Sequence, residues 1–355
     1  MFRPVCAAFS ALFLIVDPAA AQTTGAAVAP ASTVFFCRDA QAFTGFVENP
    51  VSTGRMVDEL VLAVTRKPNL AQAWRSLVSP KDRVGIKVAT AGGLYFSSRV
   101  GVVEAILRGL EQGGVPRRQV TVWDRDGTDL RAAGFDAARL GCKVRSIEPI
   151  RGYDRSAMFA APVLGKLIWG DLVFSEKAQK IRGKKPKDAD QLSSTSHLAN
   201  VVTKEVTKII NLPMITDSPG CGVAGALYNL TVPNVDNWRR FTQRLASAAE
   251  SLAELYADDH IQPKVVFTLI DGLLAQYAGG PGGNPNYAFA HATLYASRDP
   301  VALDATALRL MEGWRKEAKL PPIGARAEWL QVAGQMGLGV FEEERIVLQE
   351  VPARR

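Results

Sequence analysis

Lysine and carboxylate side chains follow several apolar runs of this sequence, and they are the residues best placed to do chemistry. These strand-ending residues are Lys87, Asp124, Asp126, Asp217 and Asp271. In an open α/β sheet the carboxyl ends of parallel strands share one edge, where ligands bind. Carboxylates gathered there suit a small-molecule site or a hard divalent cation such as Mg²⁺ or Ca²⁺. Polar residues also end strands because chains must turn, so a purely structural interpretation stays open.

The clearest secondary-structure pattern surrounds Asp271. Residues 264–270 are almost all apolar and predict a strand buried on both faces that stops at Asp271. The Gly- and Pro-rich residues 278–286 predict an exposed, shaped loop. A second strand over residues 292–297 and a helix over residues 301–314 follow. Asp271 is therefore predicted at the end of a strand, beside a loop.

Strand and helix patterns alternate earlier in the chain. Residues 83–88 and 119–123 predict strands on either side of an amphipathic helix over residues 98–112. A shorter helix over residues 130–140 leads to a strand over residues 143–147. This alternation predicts an α/β fold, an open and mostly parallel sheet flanked by helices.

The remaining segments complete the predicted organisation. Residues 34–80 predict an N-terminal helical layer, and residues 81–355 an α/β domain with a hairpin and loop insertion at about 152–195. Within that domain we expect a helix over residues 197–205, a strand over 207–212 and a long helix over 234–257.

The first 21 residues have the order of a secretory signal peptide: a short basic start, an apolar run and small residues before the cleavage site. The apolar run is shorter than the ~20 residues that span a bilayer, so we expect no membrane span after cleavage. Residues 22–33 predict a flexible leader. The sequence thus predicts an exported protein, periplasmic if the source is a Gram-negative bacterium.

Charge and cysteine content exclude some functions. The net charge of +7 has its densest basic run at residues 177–187, which lacks interleaved aromatic residues, so we expect no nucleic-acid partner. Cys37, Cys142 and Cys221 remain after signal cleavage, and an odd number leaves at least one thiol free in a monomer. No C-x-x-C motif is present, so we expect no iron–sulfur cluster. The three histidines, His197, His260 and His291, lie too far apart in sequence to indicate a zinc site.

Four segments, residues 84–87, 196–211, 222–229 and 299–304, together resemble exported proteins of the domain of unknown function 362 family. The resemblance runs from about residue 83 to residue 311 and implies an α/β fold. By motif it singles out Lys87, His197, Asn211, Asn229, Asp271, Asp299 and Asp304. Two lysines and a histidine frequent in the family are replaced here by Thr216, Tyr228 and Ser218, and the family's ferredoxin-like cysteine motifs are missing. The resemblance therefore implies no particular reaction.

We hypothesise an exported small-molecule-binding or enzymatic protein with a carboxylate-lined site at strand ends, with a divalent cation, Mg²⁺ or Ca²⁺, left open as cofactor. The candidate catalytic residues are Lys87, Asp271 and His197. The candidate ligand-binding residues are Asn211, Asp217, Asn229, Asp299 and Asp304, and Asp271 is the candidate metal ligand. Asp299 also has the position of a helix N-cap. The alternative is a non-catalytic redox or assembly partner, for which Cys221 would be the thiol of interest.

Overall fold

The computed structural model describes residues 31–149, 151–166, 192–242 and 249–354. Fourteen strands lie in these ranges: β1 (Ser32–Arg38), β2 (Phe43–Thr44), β3 (Val47–Glu48), β4 (Val84–Val88), β5 (Val120–Asp124), β6 (Lys143–Ser146), β7 (Tyr153–Lys166), β8 (Leu192–Ala199), β9 (Lys208–Leu212), β10 (Asp217–Ser218), β11 (Gly222–Val223), β12 (Val265–Gln276), β13 (Ala288–Ser297) and β14 (Ile346–Glu350). The predicted signal peptide, most of the leader and the basic run at residues 177–187 lie outside the described residues.

Nine α-helices lie in the same ranges: α1 (Pro50–Thr65), α2 (Leu70–Leu77), α3 (Val100–Gly113), α4 (Gly127–Ala132), α5 (Ala137–Leu140), α6 (Ala226–Thr231), α7 (Ala249–Tyr256), α8 (Pro300–Glu317) and α9 (Glu328–Gln335). The sequence predicted one helix over residues 130–140. That segment forms α4 and α5 instead, because Gly134 between them has a φ of +87° and interrupts the helix. Among the described residues, no helix is both long enough and apolar enough to cross a bilayer.

The central sheet has eight strands in the order β14, β1, β13, β12, β9, β4, β5, β6. Five of its seven pairings are parallel, and the two made by β13 are antiparallel. This architecture confirms the predicted α/β fold with an open, mostly parallel sheet. β7 and β8 pair antiparallel outside this sheet and form the hairpin of the predicted insertion.

The N-terminal region departs from the predicted helical layer. It does contain α1 and α2, but it begins with β1, which joins the central sheet between β13 and β14. Ser32 and Thr33, predicted to end a flexible leader, already belong to this strand. The β-branched and aromatic run from Thr33 to Phe36 is too short for pattern alone to separate a strand from the start of the predicted helical layer.

Strand β12 corrects the prediction made for Asp271. The sequence predicted a strand that stops at Asp271, whereas β12 continues to Gln276. Its ladder with β13 continues past a register shift between Gly272 and Leu274. A Cβ on Gly272 would approach the backbone oxygen of Thr293 to 2.6 Å, so glycine allows the close approach that the bulge requires. Asp271 therefore lies inside a strand.

The predicted helices over residues 197–205 and 234–257 are also corrected. His197 lies in β8, and the helical part that follows is one π-helical turn, Val201–Glu205. The second segment begins with two 3₁₀ turns, Val232–Asn234 and Trp238–Phe241, and becomes α-helical only in α7. The Asp236 carboxylate accepts hydrogen bonds from the backbone N–H of His197 and of Asn237, at 2.7 and 2.8 Å. These bonds compete with helix formation in both segments.

Two apolar cores cover the two faces of the sheet. Ile86 of β4 belongs to the core that contains Met56 of α1 and Ile106 of α3. The other core contains Leu227 of α6 and Leu303 of α8. Because successive strand residues point to opposite faces, the residue after Ile86 faces α6 rather than α3. That residue is Lys87.

Three cysteines of the described chain are free thiols, and all are buried. Burial raises the pKa of Cys37 and of Cys221 to about 12, and that of Cys142 to about 11. The Cys221 thiol donates a hydrogen bond to the Phe241 carbonyl at 3.3 Å. Protonated, buried thiols are poor nucleophiles, so this packing disfavours a redox role for Cys221.

We predict that a chain beginning at Gln22 titrates three thiols per molecule when it is denatured without reductant. In the native state the same thiols should react with a disulfide reagent only at the rate of local or global unfolding, because all three are buried. The variant Cys221→Ser should titrate two. A single thiol in the denatured wild type would indicate a disulfide and contradict this packing.

Candidate functional site

A cavity of about 390 Å³ opens at the carboxyl ends of β4, β5 and β9. Apolar and aromatic side chains form much of its wall, including Phe96, Met214, Pro233, Trp238 and Pro281. The polar residues that line it are Thr90, Asp124, Arg125, Asp126, Asp129, Thr216, Tyr228, Asn229 and Arg239. A mostly apolar wall with a few polar groups is typical of a small-molecule site, and the location agrees with the crevice rule for α/β sheets.

Lys87 lies fully buried beneath the floor of this cavity. Its ammonium group donates three hydrogen bonds, to Asp124 Oδ1 at 2.6 Å, the Val88 carbonyl at 2.7 Å and Asn229 Oδ1 at 3.0 Å. Burial lowers the pKa of Lys87, and the Asp124 carboxylate opposes that shift. All three donors of the ammonium are occupied, so Lys87 holds its neighbours in place and does not contact the cavity itself.

Asp124 joins the loop after β4 to the end of β5. Its Oδ1 accepts from Lys87 and from the backbone N–H of Arg125, at 2.7 Å for the latter. Its Oδ2 accepts from the backbone N–H and the hydroxyl of Thr90, at 2.8 and 2.6 Å. Four hydrogen bonds fill the acceptor capacity of the carboxylate. Asp124 thereby fixes the first residues of the loop that forms one wall of the cavity.

Asn229 of helix α6 forms hydrogen bonds with polar side chains of the sheet. Its amide nitrogen donates to Asn211 Oδ1 at 2.9 Å, and Asn211 in turn donates to the Ala226 carbonyl at 2.8 Å. Lys87 and Asn211 are neighbours in the ladder between β4 and β9, so both side chains meet α6 on the same face. The side chains of Lys87, Asn211 and Asn229 therefore provide hydrogen-bond partners for one another in a region otherwise filled by apolar residues.

Two guanidinium groups lie over the indole ring of Trp238 at the cavity wall. The Arg125 guanidinium carbon is 4.9 Å from the ring centroid and that of Arg239 is 4.8 Å from it. Arg125 also donates to the Val235 carbonyl at 2.7 Å. These cation–π contacts position positive charge beside an aromatic surface that faces the cavity.

Tyr228 and Asp129 present polar atoms to the cavity that no described residue engages. Neither the Tyr228 hydroxyl nor the Asp129 carboxylate has a hydrogen bond or ion pair within the described ranges. Burial raises the pKa of Tyr228 above its ordinary value, so the phenol is neutral. Partial burial, followed by the nearby charges of Asp126 and Asp124, raises the pKa of Asp129. These two groups are free to contact a ligand.

Asp271 lies away from the cavity and caps helix α3. Its Oδ2 accepts from the backbone N–H of Arg99 at 2.7 Å, and its Oδ1 from that of Leu273 at 3.2 Å. Glu48 accepts from Gly101 of the same helix start at 3.1 Å. Burial raises the pKa of Asp271. A carboxylate at a helix N-terminus is stabilised by the unpaired N–H groups there, which explains its position without a ligand.

Asp304 and Asp299 are helix caps as well. Asp304 is fully buried and accepts from the backbone N–H of Ala226 and Leu227, at 2.5 and 2.9 Å, at the start of α6. Asp299 caps its own helix, α8, through the N–H of Ala302 at 2.9 Å, and its other oxygen accepts from Val340 at 2.9 Å. Asp304 thus contributes to the site indirectly, because α6 carries Asn229 and Tyr228.

His197 and Asp217 have partners outside the cavity. The Nδ1 of His197 lies 2.8 Å from Asp236 Oδ2, in the contact between β8 and the 3₁₀ turns. Asp217 Oδ1 accepts from the Gly280 N–H at 2.6 Å and its Oδ2 lies 3.9 Å from the Arg315 guanidinium. Asp217 therefore anchors the Gly-rich loop, whose Pro281 lines the cavity.

The structure brings together three of the eight predicted site residues, Lys87, Asn211 and Asn229. Asp271, His197, Asp217, Asp299 and Asp304 lie elsewhere, so they do not form one cluster with these three. Within the described ranges no group of three or more His, Cys, Asp or Glu residues is arranged to hold a metal ion. The cation at Asp271 stays a prediction. Both carboxylate oxygens of Asp271 already accept hydrogen bonds from backbone N–H groups.

Sequence reasoning missed several residues that line the cavity. Asp124 and Asp126 were recognised as strand-ending carboxylates but not chosen, and Tyr228 was noted only as a departure from the family pattern. Trp238 and Arg239 fall within the long helix predicted over residues 234–257, which does not indicate a site. Two adjacent arginines after a tryptophan, in a segment where the helix fails, are the signal that points to them.

The fold and the cavity define an α/β protein with a crevice at the carboxyl ends of its parallel strands. The chain belongs to the family described as Domain of unknown function (DUF362), whose model matches residues 89–309. A comparison with curated proteins finds no match. Among solved structures, a crystal structure of a Thermotoga maritima protein is similar at 12% identity and a TM-score of 0.36, covering 71% of this chain. The match spans 58% of the length of that protein.

Asp304 makes the stability of the protein depend on pH. Burial raises the pKa of this carboxyl to about 7. Between about pH 4 and pH 7 the unfolded chain has released this proton while the folded protein retains it, so stability falls as pH rises through this window. We predict that the unfolding free energy of the wild type falls more steeply than that of Asp304→Asn, by up to about 1.4 kcal/mol per pH unit.

Urea unfolding at a series of pH values measures this difference. Asp136→Asn is the control, because it removes the capping carboxylate of α5, which accepts from the Arg139 N–H at 2.8 Å and does not act on Asp304. It should keep the slope of the wild type. Parallel curves for the wild type and Asp304→Asn would show that Asp304 does not hold a proton in the folded state.

Proposed function

We propose that this protein binds a small organic molecule in the cavity at the carboxyl ends of β4, β5 and β9. The cavity volume of about 390 Å³ falls within the usual range for small-molecule sites of roughly 300–1,000 Å³. The apolar wall supplies contact area, and the side chains of Tyr228, Asp129 and Arg239 supply polar groups that fix orientation. The proposal retains the carboxylate-lined site expected from the sequence.

The observation that carries this proposal is the buried network under the cavity floor. Lys87 has no solvent exposure, and its charge is compensated by Asp124 at 2.6 Å. Burying an ion pair in a sheet costs desolvation energy that apolar residues of similar size would avoid. The network therefore contributes little net stability relative to an apolar core. The network instead fixes three parts of the protein around one cavity. They are the loop after β4 that contains Thr90 (the Thr90 loop), the end of β5 and helix α6.

Lys87 and Asp124 act as positioning residues in this proposal. Their hydrogen-bonding capacity is filled within the protein, so neither has a free donor or acceptor for a ligand. Tyr228 and Asp129 retain polar atoms that touch the cavity, and they are the groups able to exchange a proton with a bound molecule. We thus propose a binding site. If the protein turns over a substrate, Tyr228 and Asp129 are the candidate proton donor and acceptor.

We also propose that this protein is exported. The order of charged, apolar and small residues over positions 1–21 supports a signal peptide and a location outside the cytoplasm. The alternative function as a redox partner gains no support from the thiols, since Cys221 is buried and burial raises its pKa to about 12.

We predict that a library of polar and amphipathic small molecules contains compounds that raise the melting temperature of the wild type. A ligand present at about 100 times its Kd stabilises the folded state by about 2.7 kcal/mol. Trp238→Ala removes the aromatic wall and Tyr228→Phe removes only the free hydroxyl, so each should lose most of the ligand-induced shift. Thermal denaturation with each hit measures the effect.

Tyr287→Phe is the matched control, because it removes a hydroxyl from a tyrosine that does not line the cavity. It should keep the full shift. Compounds that stabilise all four proteins equally bind elsewhere, and that result, or the lack of any stabilising compound, would contradict the proposal.

A further inference from the structure

The wall of the cavity carries a positive group that has neither a hydrogen-bond acceptor nor an ion-pair partner in the described part of the chain. The Arg239 guanidinium lies over Trp238 at 4.8 Å, and its Nε is buried without a hydrogen-bond acceptor. No carboxylate of the described residues forms an ion pair with it. A buried N–H group that lacks an acceptor costs free energy, which an anionic ligand group would recover.

The same wall also carries a carboxylate that accepts no hydrogen bond from the described residues. Asp126 is engaged, because its carboxylate accepts from the N–H groups of Thr128 and Asp129 at the start of α4. The Asp124 carboxylate is saturated as well. Only the Asp129 carboxylate, among the three that line the cavity, is without a hydrogen bond from the described residues. A cationic ligand group would offset the repulsion that Asp126 and Asp124 impose on it.

An apolar surface completes the arrangement. Trp238, Met214 and Phe96 contribute side chains to the same cavity, and the Tyr228 hydroxyl is a neutral donor and acceptor. Three carboxylates and two guanidinium groups line the space, so neither a polyanion nor a polycation matches its charge. The wall matches a molecule that carries one charge of each sign on an apolar body.

We propose that the ligand is a small zwitterion with an apolar or aromatic body, its cationic group bound by Asp129 and its anionic group by Arg239. This inference rests on the small-molecule site proposed above and assigns its ligand class. Charged groups on both ends distinguish such a ligand from a simple carboxylate and from a simple amine. Loss of either end leaves one charged residue of the cavity wall without its partner.

Three probes of nearly equal size separate these classes: L-phenylalanine, 3-phenylpropionate and phenethylamine. They share a phenyl ring and differ in whether they carry both charges, only the carboxylate or only the ammonium group. We expect isothermal titration at neutral pH to show that the wild type binds L-phenylalanine at least tenfold more tightly than either of the other probes. Asp129→Asn should bring L-phenylalanine to the affinity of 3-phenylpropionate, and Arg239→Gln should bring it to that of phenethylamine.

Arg239→Lys keeps the charge and should retain part of the preference, which separates loss of charge from loss of structure. Melting temperatures of the variants without probe confirm that each is folded. Equal affinity for the three probes, a preference for one singly charged probe, or a zwitterion preference unchanged in both Asp129→Asn and Arg239→Gln would overturn the inference. If none of the probes binds while library compounds still show Trp238-dependent stabilisation, the zwitterion is excluded and the small-molecule site stands.

Discussion

The structure around the cavity depends on one buried ion pair, between Lys87 and Asp124, at 2.6 Å. The pair connects two adjacent parallel strands, β4 and β5, at the points where they leave the sheet. Through Thr90 it fixes the loop on one side of the cavity, and through Asn229 it fixes helix α6 on the other. A charge pair buried in an apolar environment tolerates few alternative arrangements, because moving either partner leaves the other unpaired. The ion pair therefore favours one arrangement of the cavity floor.

Carboxylates placed at helix starts extend the same organisation away from the cavity. Asp271 caps α3, and Asp304 caps α6, in each case from a distant part of the chain. These caps orient the helix that follows the Thr90 loop and the helix that carries Asn229. Among the residues predicted as potential ligands, Lys87, Asn211 and Asn229 thus form the cavity floor. Asp271 and Asp304 instead hold the starts of helices α3 and α6.

The α/β alternation could be predicted from the sequence because buried parallel strands are short apolar runs between amphipathic helices. Lys87 could be recognised because it is a polar residue at the end of such a run, whereas Asn211 was singled out by the family resemblance. The partners could not, because Asp124 is 37 residues from Lys87 and Asp304 is 78 residues from Ala226, and local patterns carry no information at that separation. Asp271 was placed at a strand end because Asp-Gly resembles a turn, whereas here Gly272 forms a bulge and the strand continues.

A double-mutant cycle on Lys87 and Asp124 tests most directly whether this pair organises the cavity floor. The measurement is the unfolding free energy in urea of the wild type, Lys87→Met, Asp124→Asn and the double variant. Removing one member of a buried ion pair costs about 3–5 kcal/mol, because the other charge is left unpaired. The account predicts that the double variant is destabilised by at least about 1 kcal/mol less than the sum of the two single changes. Additive effects within about 0.5 kcal/mol would contradict it, since they would show that the two residues act independently.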